Sequence, residues 1–345
     1  MKKEYKNLFE QIPAPLLSWY ERQKRDLPWR KDPTPYRVWV SEIMLQQTRV
    51  EAVKEYYVRF LNALPTVEDL AECEEEKLLK LWEGLGYYSR VRNMQKAAKQ
   101  VVSLYGGEFP RDIEELKALS GIGPYTAGAI ASIAYNLPYA AVDGNVFRMA
   151  SRLEENSTCI ADPFYRKYLE KELSAVYPKG KCSEFTQSLF ELGALICKPQ
   201  SPDCEICPLK ELCFAKKHGT QTQYPVLPQK REKRVEEVYV FLIETSSGFC
   251  IRRRETGVLK GMNEFPSHVK MEEETPENVL NEWGMYVFTE IKRERYRHIF
   301  THIRWEITCL WIRVEDAPFD AYTLEEIQES VSLPTAFKQC LGILQ

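Results

Sequence analysis

The chain has no apolar run long enough to cross a bilayer, and its lysine-bearing start, Met1-Lys2-Lys3-Glu4, leads into no apolar signal core. Membrane-spanning and exported classes are set aside, and a cytoplasmic chain without a targeting signal is expected. An excess of one charge is missing as well. Lys+Arg number 47 against 50 Asp+Glu, a formal net charge of -3, which argues against a protein that coats polyanions over its whole surface but leaves room for a local track. Basic residues gather at 230–234, at Arg252-Arg253-Arg254 and at 292–297, acidic ones at Glu272-Glu273-Glu274 and Glu325-Glu326. Each cluster singly reads as a solvated face. Internal repeats and low-complexity segments are absent, and so, over the first 216 residues or so, is the two-residue alternation of hairpin strands.

What is present is a globular composition, 44% apolar over 345 residues, more than one hydrophobic core usually serves. Apolar residues recur at helical spacing around 16–20, 38–57, 77–85, 92–104, 112–119 and 125–135. Polar residues and prolines then break the texture at 218–228. Beyond them the period changes: 238–243 and Phe249-Cys250-Ile251 flank the turn Thr245-Ser246-Ser247-Gly248, and 303–312 is another β-rich run. The expected organisation is a mainly α domain over 1–216, a linker over 217–234, and an α+β domain over 235–345.

Three stretches carry chemistry. Leu119-Ser120-Gly121-Ile122-Gly123-Pro124-Tyr125-Thr126-Ala127 places two glycines between helical patterns, where a tight turn without Cβ atoms aims free amides outward and suits a phosphate. On its own it reads sooner as a plain helix-helix hairpin. Asp143 follows Gly123 by twenty positions and opens Asp143-Gly144-Asn145-Val146. Cys197, Cys204, Cys207 and Cys213, spaced Cys-x6-Cys-x2-Cys-x5-Cys among three prolines, are able to converge on one metal centre, zinc or iron-sulfur. Glu42 stands among apolar side chains in Val38-Trp39-Val40-Ser41-Glu42-Ile43-Met44. Burial there would keep it protonated near neutrality, as a general acid requires, whereas a water-facing Ser41-Glu42 would be an ordinary surface pair.

Glycine hairpin, Ala/Gly-rich helix and aspartate together resemble the helix-hairpin-helix signature of base-excision DNA glycosylases. Trp39 through Thr48, Leu27-Pro28-Trp29-Arg30, Gly84-Leu85-Gly86-Tyr87-Tyr88-Ser89-Arg90, Gly121 through Ala127 and Val142 through Arg148 resemble the MutY-type adenine glycosylases, over nearly all of 8–216. The uneven cysteine spacing is similar to the loop of endonuclease III and its adenine-specific relatives. That resemblance implies a 4Fe-4S cluster on Cys197, Cys204, Cys207 and Cys213. It also implies a helix-hairpin-helix fold followed by a MutT-like (Nudix-like) domain. Gly257, Gly261 and Glu264-Phe265-Pro266 fit the Nudix loop, and 277–285 falls on the Nudix helix. Asn278 and Asn281 stand there, leaving few carboxylates beside Glu282 for magnesium, so recognition rather than hydrolysis is expected of this domain.

By the same resemblance Glu42 would protonate a departing adenine at N7, Asp143 would stabilise or transiently trap the sugar cation, and Asn145 would help hold the attacking water. Trp29 and Arg30, with Leu27, Arg25 and Gln187 behind them, would line the pocket for the extrahelical base. Gln47, Leu85, Gly86 and Tyr87 would fill the gap and support the opposite base, Thr48 would be a further substrate or DNA contact, and Gly121 and Gly123 would hold the backbone. Phe300-Thr301-His302 stands where the family usually has Phe-Ser-His, which puts Thr301 against 8-oxoguanine. Tyr125 occupies the position of a lysine in bifunctional relatives and cannot form a Schiff base, so base hydrolysis without strand cleavage is expected. The implied partner is duplex DNA with A opposite 8-oxoguanine or G, bound by a monomer close to the nucleoid. Two other readings stand beside it: an endonuclease III-like glycosylase/lyase, which Tyr125 disfavours, and a non-catalytic iron-sulfur DNA-binding protein, which would need neither Glu42 nor Asp143.

Overall fold

The computed structural model describes residues 8–229 and 232–345; residues 1–4 and the start of the basic cluster at 230–231 lie outside the described residues. The chain divides into two compact units, Met1–Glu72 with Arg92–Gln229, and Cys73–Val91 with Lys230–Gln345.

The first unit is helical. Proline opens the helices Pro13–Gln23, Pro35–Leu45, Pro124–Ala129 and Pro163–Ala175, where its missing N–H costs nothing. Asp162 caps Pro163–Ala175 as well, and Asp112 caps Ile113–Ala118, its carboxylate accepting from the amides of Glu114 and Glu115 at 2.9 and 3.0 Å. The helix Cys182–Leu195 packs against Pro13–Gln23, Gly144–Glu154 and the π-turn Ile130–Ala134. Leu16 and Trp19 meet Phe147, Leu169, Phe185 and Leu189 in its core, each such side chain contributing about 1.5–3 kcal/mol on burial. Gly193 is required where two helices close: a Cβ there would run into Asn145.

The apolar periodicity at 38–57 predicts one helix; the structure has two, Pro35–Leu45 and Val50–Ala63, parted by a turn in which Gln47 takes a left-handed φ of 62°. The two helices pack on each other, so a broken helix keeps the apolar pattern of an unbroken one. The hairpin between Ile113–Ala118 and Pro124–Ala129 is present, but its two glycines differ. Gly121 has φ 75° and a Cβ there would press on the Asn93 Cβ at 2.7 Å, whereas Gly123 has φ -90° and faces open space. Only the first needs glycine for its fold.

The second unit is built on a sheet ordered Asn263–Glu264, Gly248–Arg253, Arg234–Thr245, Ile303–Arg313, Thr289–Ile299. Arg234–Thr245 runs parallel to Ile303–Arg313, Val238 opposite Ile307. Val238, Val240 and Leu242 face one core with Trp305 and Phe337, while Tyr239, Phe241 and Ile243 face another with Leu280 and Leu310. A strand covered on both faces reads as a continuous apolar run, which is what 238–243 is. Segment Cys73–Val91 packs with this unit.

Candidate active site

A cavity of about 250 Å³ opens in the helical unit, and Leu27, Trp29, Arg30, Glu42, Tyr125 and Asp143 are in its wall. Arg25, Thr48, Asn145 and Gln187 also line it. The sequence-predicted pocket and chemistry residues of this unit thus share one hollow.

Glu42 sits on the helix Pro35–Leu45, buried from Val38 through Met44, and is itself 5% exposed. Its Oε2 accepts the Tyr125 hydroxyl. Burial pushes the carboxyl up to about 7; the Tyr125 hydrogen bond opposes the rise, the nearby Asp143 charge adds to it, and Arg30 counters it. Half of such groups are protonated at neutrality, so the carboxyl is able to donate a proton there. Tyr125 comes from the hairpin's second helix, its ring tilted on Phe190 at 5.9 Å, and burial raises its hydroxyl well above the usual range, so it donates rather than ionises.

Asp143 is the N-cap of Gly144–Glu154, accepting from the Val146 amide at 2.8 Å and from Asn145 Nδ2 at 2.7 Å. Burial raises its carboxyl above the ordinary range, and these hydrogen bonds counter that rise by favouring the charged form. Asn145 is fixed in turn: its Oδ1 accepts from Arg148 Nη2 at 2.8 Å, and Arg148 donates onward to the carbonyls of Gly193 at 2.9 Å and Cys197 at 2.7 Å.

Glu191 is a site residue that the sequence does not announce. Only 1% exposed, it accepts from the amide, Nε and Nη2 of Arg25 at 2.8–2.9 Å and from Arg30 Nη2 at 2.8 Å. Burial would raise its carboxyl, but the two arginines overcome it and hold it at about 2. The pair of cations at the pocket wall is therefore anchored to a fixed anion. Glu191 shares the amphipathic pattern at 182–195 with Glu184 and carries no local mark; only Arg25 and Arg30, far earlier in the chain and in need of a counter-charge, hint at it.

Gln47 lies in the turn after Leu45. Gly121 and Gly123 lie in the exposed hairpin. In the second unit Leu85 is 6% exposed while Tyr87 is 46% exposed, its hydroxyl 2.8 Å from the Thr301 Oγ1. Glu264 in the Nudix-like loop is engaged by Arg252 at 2.9 Å, Arg254 at 2.6 Å and Ser267 at 2.8 Å, and Asn278 serves as the capping-box partner of Thr275.

The four cysteines share one loop. Burial pushes the Cys207 thiol up to about 12, and Cys197, Cys213 and Cys204 lie near enough to raise it further. Four sulfurs so close have no stable thiolate form without a metal centre to share the charge, and N–H donors already point at them: Arg152 Nη1 at 3.4 Å from Cys197 and Gln221 Nε2 at 3.8 Å from Cys204. Four thiolates in one loop are the donor set that a four-iron cluster takes, one sulfur to each iron, so the residues present fit the cluster.

Family models match this architecture: an HhH-GPD superfamily base excision DNA repair protein over 40–174, the iron-sulfur binding domain of endonuclease III over 197–213, and a NUDIX domain over 238–342. The helical unit, its pocket and its cysteine loop define a base-excision DNA glycosylase of the helix-hairpin-helix class that carries a 4Fe-4S cluster. Among solved structures, a thermostable thymine-DNA glycosylase is 28% identical with a TM-score of 0.56, covering 62% of this chain and 100% of its own. A non-covalent endonuclease III–DNA complex is 28% identical with a TM-score of 0.52, covering 62% and 98%. The adenine DNA glycosylase of Buchnera aphidicola (subsp. Baizongia pistaciae) is 32% identical over 95% of this chain and 92% of its own length. That of Schizosaccharomyces pombe is 34% identical over 86% and 80%, and that of Rattus norvegicus 44% identical over 62% of this chain and 43% of the rat protein. The chain belongs to the adenine DNA glycosylase family.

Proposed function

We propose that this chain hydrolyses the N-glycosidic bond of adenine paired with 8-oxoguanine, or with guanine, in duplex DNA. The observation that carries the reading is the buried Glu42 carboxyl, hydrogen-bonded by Tyr125 in a cavity it shares with Asp143. Adenine is a poor leaving group. Glu42 gives its proton to the base as the C1'–N9 bond breaks and the bonding electrons leave with adenine; the Asp143 carboxylate faces the positive sugar, and water adds at C1', its proton passing to the Glu42 carboxylate left by the first transfer. Asn145 holds that water beside Asp143. Trp29 and Arg30 form the wall for the extrahelical base, with Arg25, Leu27 and Gln187 around it. Tyr125 offers no amine, so the strand stays intact.

Cys197, Cys204, Cys207 and Cys213 would hold the cluster, which would supply one-electron capacity when bound, while Arg148 and Arg152 hold the loop through Cys197, Lys198 and Pro199. Gly121 and Gly123 meet the DNA backbone, Gln47, Leu85, Gly86 and Tyr87 fill the gap in the duplex, and Thr48 meets the base from the cavity wall. Residues 1–216 then do the chemistry, 217–234 connect, and 235–345 recognise the opposite base, with Thr301 beside 8-oxoguanine. The enzyme works as a cytoplasmic monomer at the nucleoid. Release of free adenine from duplexes with A opposite 8-oxoguanine, G or T, with and without alkali, tests this: adenine should appear from the first two and strand breaks only after alkali.

A further inference from the structure

The segment Cys73–Val91 lies in the chain among the helices of the first unit yet packs with the C-terminal one. It carries the helix Glu75–Leu81, the buried Leu78, Leu79 and Trp82, and then Leu85, Gly86 and Tyr87. Two of its carboxylates hold it. Glu76 accepts from Arg253 Nη2 and Asn263 Nδ2, each at 2.6 Å. Glu83, with its side chain 11% exposed, accepts from the Leu333 amide at 3.1 Å and from Lys338 Nζ at 3.2 Å. Lys80 and Ser332 fasten the same edge, Lys80 Nζ donating to the Val331 carbonyl at 3.0 Å and Ser332 Oγ to the Leu79 carbonyl at 3.1 Å.

The turn that follows is strained. Gly84, Gly86 and Tyr87 all have positive φ, 98°, 69° and 48°, and for a tyrosine that conformation costs about 1–2 kcal/mol. Such a backbone persists only where its surroundings over-determine it. Trp82 Nε1 and Arg90 Nη2 close it from inside, both reaching the Gly86 carbonyl at 3.1 Å. An aromatic side chain that enters a base stack pays less in ordering when it is held in place beforehand.

We propose that Glu76 and Glu83 are positioning residues: by tying Glu75–Leu81 and Trp82 to Arg253 and Asn263 through Glu76, and to Leu333 and Lys338 through Glu83, they hold the Leu85-Gly86-Tyr87 turn in the posture from which it discriminates the base opposite adenine. This rests on the function proposed above. The test uses the full chain as Glu83→Ala, Glu76→Ala and the conservative Glu83→Gln, which keeps an acceptor for the Leu333 amide. Hydrogen exchange at the amides of 85–90 is measured without DNA, and binding to duplexes carrying a non-hydrolysable adenosine analogue opposite 8-oxoguanine or G is measured with it. Each alanine variant should speed exchange and lower the 8-oxoguanine-over-G binding ratio by about tenfold, the scale of one charge-assisted hydrogen bond. Glu83→Gln should keep most of both, and saturating single-turnover adenine release should change little in any of them. Wild-type exchange and preference in both folded alanine variants would overturn the proposal; should Glu83→Ala fail to fold, Glu76→Ala decides alone. Failure of the wild-type chain to release adenine would refute the proposed function instead, while the exchange measurement would still read the anchor.

Discussion

Replacing Glu42 by glutamine should make the protein more stable and nearly inactive, and the gain should depend on pH. The carboxyl has an ordinary value of 4.5 and sits at about 7 in the fold, chiefly through burial. A folded pKa raised above the unfolded one means that the neutral group is tolerated below pH 4.5 and that ionising it costs stability as pH rises through 7. The difference of about 2.5 pH units corresponds to roughly 3 kcal/mol at pH 8, taking 1.36 kcal/mol per unit. Glutamine is neutral throughout, of similar volume, and its carbonyl can still accept the Tyr125 hydroxyl. The variant should therefore melt close to wild type near pH 5 and several degrees above it at pH 8, at about 2–4 °C per kcal/mol for a unit of this size. Its single-turnover adenine release should fall by about 10²–10⁴-fold, and the wild-type rate should decline above pH 7 as Glu42 loses its proton. Paired melts at pH 5 and 8 with release assays across that range decide it. A melting difference that does not grow with pH, or near-normal release by Glu42→Gln, would refute the reasoning.

Asp143→Asn should cripple release by about 10²-fold or more through loss of the charge facing the sugar, with affinity for the mispaired duplex largely kept; single-turnover rates beside binding isotherms check both. Thr301→Val removes the hydroxyl near Tyr87 and should lower the preference for A opposite 8-oxoguanine over A opposite G by about tenfold or less, read from the ratio of release rates. Purified protein should be yellow-brown with about four irons per chain by elemental analysis, and stoichiometric zinc without iron would contradict the cluster.

Much of the site is legible locally because each part has its own signature. Cysteine spacing marks the metal loop, Asp143 stands directly before a helix it caps, and 238–243 is apolar on both faces because both faces are covered. What the sequence hides is long-range. Glu191 stands 166 residues from Arg25, and nothing in an amphipathic helix says which carboxylate will meet a distant cation. The break at Gln47 is hidden because the two packed helices continue one apolar pattern, and glutamine is no turn former. Likewise the periodicity of 77–85 announces a helix with a buried face but not the unit that buries it; Leu79 and Glu83 find their partners in Ser332 and Leu333, some 250 residues on.

The central claim is that the buried Glu42 carboxyl and the half-buried Asp143 carboxylate together hydrolyse adenine from its sugar without cutting the strand. Its most direct measurement is free adenine released under single-turnover conditions from a duplex with A opposite 8-oxoguanine, followed on a denaturing gel with and without alkali. Stoichiometric adenine with strand breaks appearing only after alkali is the predicted result. Strand breaks without alkali, or intact adenine at saturating enzyme, would contradict it.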